Sequence, residues 1–79
     1  MKKNYSSLLV GPKVMEEIIK GNQHAIQHKA TASWLAFLHK NPENVRFYET
    51  VHGVSTIRRV IKIQKTIQLY EPIIRIFFA

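Results

Sequence analysis

Four cations, Arg58, Arg59, Lys62 and Lys65, stand within eight residues, and no acidic residue lies between Glu49 and Glu71. Guanidinium and ammonium groups at this density suit phosphate oxygens, which arginine grips with two parallel hydrogen bonds. Lys13, Arg46 and Arg75 are lesser members of the same set. His24 and His28 have the i, i+4 spacing that would place two imidazoles on one metal if the segment is helical. The glutamate of a metalloprotease helix is replaced here by Ala25, and His39 would lie roughly 16 Å beyond His28 along the axis. With neither Cys nor Asp in the chain, no metal and no other cofactor is expected. Glu16 and Glu17 are adjacent, so on a helix they point about 100° apart and make no acid/base pair. Ser6, Ser7, Ser33 and Ser55 lack a nucleophile-elbow context, and three glycines build no phosphate loop. A non-enzymatic protein is therefore expected. Small basic toxins that cut RNA do place helices before a sheet and use Arg, Lys, His or Tyr. Tyr48, His52, Arg58, Arg59 and Tyr70 would supply those types, by analogy of architecture alone.

Which of these side chains meet depends on the elements beneath them. Gly11 and Pro12 announce a helix over about 12–20, since proline at the first helical position has no amide to leave unpaired. Val14, Met15, Ile18 and Ile19 recur at helical spacing, and Gly21 fits the stop. Asn22 would cap a second helix over about 23–39, with Ile26, Ala30, Trp34, Phe37 and Leu38 as its apolar face. Asn41-Pro42 ends it.

The remainder fits two periods. On a helix, Ile57, Val60, Ile61 and Ile67 group opposite the cations; on strands, Ile57, Ile61, Ile63, Ile67 and Leu69 alternate with polar residues. β-Branched content favours strands, and a strand-like tail, "PIIRIFFA", needs a partner for its backbone. A strand through 56–70 would be unusually long, so a turn near Gln64-Lys65 is expected. The fold class that follows is α+β in one small domain: an N-terminal helical hairpin, about 12–20 and 23–39, then a small antiparallel sheet over about 45–78. The alternative is all-α with a helix-turn-helix. For that alternative, "GVSTIRRVIK" resembles the turn and reading helix of helix-turn-helix regulators over ten residues, which would make Ser55 the cap and aim Arg58, Arg59 and Lys62 at bases. It departs from that motif at Glu49, where a small residue belongs, and at Arg59, where an apolar one does.

Charge bounds the partners. Twelve Lys and Arg face five Glu, a formal net charge of +7 on 79 residues. Such a balance favours polyanions: nucleic acid first, an acidic protein surface next, an anionic membrane third. Apolar residues make up 46% of the chain, enough to order it, yet a domain this small gains from burial against a second copy, so a homodimer is expected to help. The apolar run Leu8–Val10 is too short for a signal sequence, and no stretch approaches a membrane span, which makes the cytoplasm the expected location. The expected function is that of a small nucleic-acid-binding regulatory protein, DNA or RNA, acting through a basic face. The alternative is a protein-interaction module or inhibitor, of a size common among phage accessory proteins, that binds and blocks an acidic protein partner.

Overall fold

The computed structural model describes residues 5–79, which form five strands and two short helices in the order β1 (Tyr5–Leu9), α1 (Pro12–Ile19), β2 (Ala25–Lys29), α2 (Ala32–Lys40), β3 (Asn44–Tyr48), β4 (Ser55–Gln68) and β5 (Glu71–Phe78). The strands lie side by side as β1-β3-β4-β5-β2. β1 runs parallel to β3, and every other pairing is antiparallel. A parallel pair cannot be closed by a tight turn, so the chain crosses over through α1, β2 and α2 before returning.

α1 begins on extended Gly11 with Pro12 in its first turn. It ends in a glycine stop: Gly21, at φ +79°, donates to the Ile18 carbonyl, and Asn22 donates to that of Glu17. This is the paired bonding that lets a left-handed residue satisfy the last carbonyls of a helix. α2 ends on Asn41, also left-handed at φ +46°, and the buried Pro42 that follows cannot continue a helix.

The expected second helix over 23–39 does not exist as one element, and with it the helical hairpin falls. Its first half is β2, an edge strand pairing with β5 from Ala25↔Phe77 to Lys29↔Ile73. Its second half is α2, separated from β2 by Ala30 and Thr31. The apolar residues read as one face are shared out: Ile26 packs from a strand, Ala30 from the turn, Trp34 and Phe37 from the helix. The physical reason is β5. Its buried backbone must be bonded on both edges, and β4 supplies only one of them, so tertiary pairing overrides local helical spacing. Asn22 accordingly starts no helix; its side chain donates to the Glu17 carboxylate at 3.0 Å.

The all-α alternative falls as well, because Ser55–Gln68 is a strand and Ser55 its first residue. No turn occurs at Gln64-Lys65. β4 runs unbroken for 14 residues, pairing with β3 through residues 55–59 and with β5 through 60–68. A bulge between Val60 and Lys62 marks the change of partner. Bulges bend a strand and raise its twist, which is how one long strand can serve two neighbours. The sheet is therefore mixed and five-stranded rather than a small antiparallel one confined to 45–78.

The core is built from one face of this sheet and both helices. Leu8, Val45, Phe47, Ile74, Ile76 and Phe78 meet Met15 and Ile18 of α1 and Trp34 and Phe37 of α2. Phe47 and Phe78 touch at 4.8 Å between ring centroids, tilted 57°, a favoured aromatic geometry. The apolar tail is thus a core strand, as its composition predicts. Among the described residues, no helix is long and apolar enough to cross a membrane.

Candidate nucleic-acid interface

Alternation along the strands sorts the cations. Residues directly opposite in an antiparallel pair project to the same face. Val45 and Phe47 are buried on the helix side, so Arg58, opposite Val45, and Thr56, opposite Phe47, share it. The other face takes Asn44 with Arg59, Arg46 with Ile57, and Tyr48 with Ser55; β1 adds Tyr5, Ser7 and Leu9 beside them. Beyond the bulge the same open face carries Lys62 beside Phe77, then Gln64, Arg75 and Gln27 in one row across three strands. Among the described residues, no side chain on this face is buried.

The structure thus brings together Arg46, Arg59, Lys62 and Arg75 of the residues singled out by sequence. It separates the others. Arg58 turns to the helix side, partly buried, and its Nη2 donates to the Ile18 carbonyl at 3.4 Å. A guanidinium at the C-terminal end of α1 meets the negative end of the helix, which is a structural task. Lys65 lies opposite the buried Ile74 and so projects to the helix side, where its side chain is exposed. Lys13 is exposed on α1, beside a hollow lined by Glu16, Lys20, Glu49 and His52. The single basic side expected for Arg58, Arg59, Lys62 and Lys65 would need a helix; a period of two sends neighbours to opposite faces.

The open face is short of acid. Among the described residues, ion pairs join Lys20 to Glu16, Lys29 to Glu71 and His52 to Glu49, and none of them uses Arg46, Arg59, Lys62 or Arg75. Arg75 is oriented by a neutral partner: its Nε and Nη2 donate to Gln27 Oε1 at 3.0 and 2.8 Å. Arg46 lies over the Tyr48 ring, 5.3 Å from guanidinium carbon to centroid. Both arginines are held by neutral partners, so less ordering entropy remains to be lost on meeting an anion.

Several neighbours left no clear signal in the sequence. Tyr5 and Leu9 join the face because β1 pairs with β3, and "YSSLL" is too short to show a period. Gln27 joins it because β2 pairs with β5. A cleft of about 440 Å³ opens beside the β2 edge, with Val10, Gly11, Gln23 and Trp34 among its walls; Gln27 and Arg75 connect it to the open face. His28 stacks on Trp34 there at 5.2 Å, the rings nearly parallel at 10°. His24 precedes β2 and His28 lies within it, and extended backbone sets them roughly 13 Å apart, so the spacing that suited one metal on a helix does not apply. The residue types of the RNA-cutting analogy also scatter: Tyr48 and Arg59 lie on the open face, Arg58 behind it, and Tyr70 at the far end of β4. His52 sits in the β3–β4 loop, bonded to Glu49.

Glu49 is the one buried charged residue among those described, 3% exposed. The His52 backbone N–H donates to its Oε2 at 2.9 Å, and the ring Nδ1 lies 3.2 Å from Oε1. The bond from the His52 N–H holds its pKa below the usual carboxylate value, against an opposing effect of burial; the charge and ring of His52 and the Val51 N–H add to the lowering. Glu49 thus closes the loop that leads into β4. Comparison with protein-family models, curated proteins and solved structures returned no match.

Proposed function

We propose that this protein is a small, non-enzymatic nucleic-acid-binding regulator that works through the open face of its sheet. The observation that carries the reading is the gathering of Arg46, Arg59, Lys62 and Arg75 on a helix-free surface where, among the described residues, none has a carboxylate partner. Exposed arginines and lysines with aromatic rings between them are what a phosphate backbone and its bases call for: charge for the phosphates, flat faces for stacking. Tyr5 and Tyr48 supply the rings. A cytoplasmic location, where nucleic acid is accessible, is part of the same proposal.

The test is a salt titration of binding to labelled duplex and single-stranded oligonucleotides. Affinity is expected to fall linearly on a logarithmic plot, and Arg46→Ala with Arg59→Ala should reduce the slope by about 0.7–0.9 for each phosphate contact removed. Absence of binding to either strand form at low salt overturns the proposal.

One observation favours a second reading. Ile57 on this face is 43% exposed, and Ile61 at the bulge next to Lys62 is 63% exposed, a mixture that suits a protein surface as well as a nucleic acid. In that reading the face binds and blocks an acidic protein, or pairs with a second copy of this chain. Binding that survives high salt and is lost in Ile57→Ser/Ile61→Ser would mark it.

A further inference from the structure

Two residues join β4 to β5, and both are in the left-handed region: Leu69 at φ +52° and Tyr70 at φ +65°. Gln68 and Glu71 pair on either side, so this is a two-residue hairpin with positive φ at both central positions. Such turns favour Asn-Gly, because a large side chain is strained there. Leu69 and Tyr70 are also the most exposed large apolar side chains described, at 90% and 101%, with Ile67 behind them at 74%. A leucine and a tyrosine suit neither the backbone they adopt nor the water they face. Strain held at an exposed apolar tip points to something the tip must enter.

We infer that the tip is a wedge for stacked bases: Leu69 enters between neighbouring base pairs of a duplex and Tyr70 stacks on an unstacked base. This rests on the nucleic-acid reading above and adds a mode of engagement to it. Apolar side chains used in this way unstack a base step and kink the duplex, and surrounding cations hold the backbone. The cations here are strung along the arm. On the open face Lys62 and Arg59 stand seven and ten residues before Leu69, roughly 23 and 33 Å back at the rise of a strand, while Lys65, roughly 13 Å back, projects to the other face. Glu71, the acid nearest the tip in sequence, forms an ion pair with Lys29 at 3.3 Å.

That spacing decides between two polyanions. A lipid surface is a plane, and a tip sunk about 5–10 Å into it leaves Lys62 and Arg59 beyond the Debye length of about 8 Å. A duplex lying along the arm meets those cations one after another, phosphate by phosphate. The geometry therefore suits a rod of charge.

The experiment uses a duplex carrying 2-aminopurine at its centre, whose fluorescence rises when the base unstacks, together with Leu69→Asn/Tyr70→Gly. This variant installs the residues the turn prefers, so its denaturation midpoint should equal or exceed that of the parent. It should lose the fluorescence rise and bind about tenfold more weakly, while the salt slope set by Arg46, Arg59 and Lys62 stays. A parent protein that binds the duplex with no rise overturns the wedge and leaves the open-face reading standing. A variant that keeps the rise also overturns it. No binding to any oligonucleotide overturns both readings. Tyr70-dependent binding to phosphatidylserine vesicles without duplex binding replaces the wedge with a lipid anchor.

Discussion

Arg58 and Arg59 are neighbours of the same type with different tasks. One caps the carbonyl end of α1 and the other faces solvent on the open sheet. Arg58→Ala is expected to lower stability by about 0.5–1.5 kcal/mol, the range for a modest hydrogen bond, and to leave oligonucleotide affinity unchanged. Arg59→Ala should do the reverse, and the pair of variants, compared by urea denaturation and by salt titration, separates the roles. Sequence alone made them equivalent, because facing is set by the period of the element and both periods fitted. Glu49 carries the pH dependence at this scale. Its carboxyl pKa in the folded chain lies below the ordinary value of 4.5, chiefly through the His52 backbone N–H. Its stabilisation is therefore fully present above pH 4.5 and is lost as pH falls through the lower folded value. Urea midpoints measured from pH 7 down to 3 should drop in the parent, and Glu49→Gln should be less stable at pH 7 and flatter through that acid range.

At the scale of elements, punctuation was legible and pairing was not. Gly11-Pro12, Gly21 and Asn41-Pro42 mark helix ends as their chemistry requires, since each works through φ and local bonds alone. Gly21 offers a clean test of that chemistry. A Cβ there would meet nothing within 4 Å, yet φ is +79°, so Gly21→Ala should cost about 1–2 kcal/mol through backbone strain alone. Gly21→Asn, which tolerates the left-handed region better, should cost less, and thermal unfolding of the two compares them. The segment 23–39 misled because Ile26, Ala30 and Trp34 do fall at i, i+4, i+8. Their common destination is the core, reached from a strand, a turn and a helix. The length of β4 departs from the expected turn near Gln64-Lys65 for a related reason. A bulge, which carries no residue signature here, lets 14 residues remain one strand.

For the whole molecule, the C-terminal strand ties the parts together. β5 lies between β4 and β2, and Phe78 meets Phe47 while its backbone N–H bonds to the His24 carbonyl. Phe78→Ala should cost about 3–5 kcal/mol, a large share of the 5–15 kcal/mol typical of a domain, and should leave the chain partly unfolded at 37 °C by circular dichroism. The sequence by itself determined the excess of positive charge, the scarcity of acid to offset it, the helix ends and most of the core: Met15, Ile18, Trp34, Phe37 and the apolar tail. These follow from residue type and local φ preferences, which travel with the chain whatever its fold. Only the tertiary structure decided that β2 is a strand, that β1 joins the sheet beside β3, that Arg46, Arg59, Lys62 and Arg75 share one face while Arg58 leaves it, and that Leu69 and Tyr70 stand at an exposed tip. Each of these depends on backbone hydrogen bonds between segments far apart in sequence, such as Gln27 with Arg75 or Asn44 with Arg59, and such pairings leave no period in the chain to read.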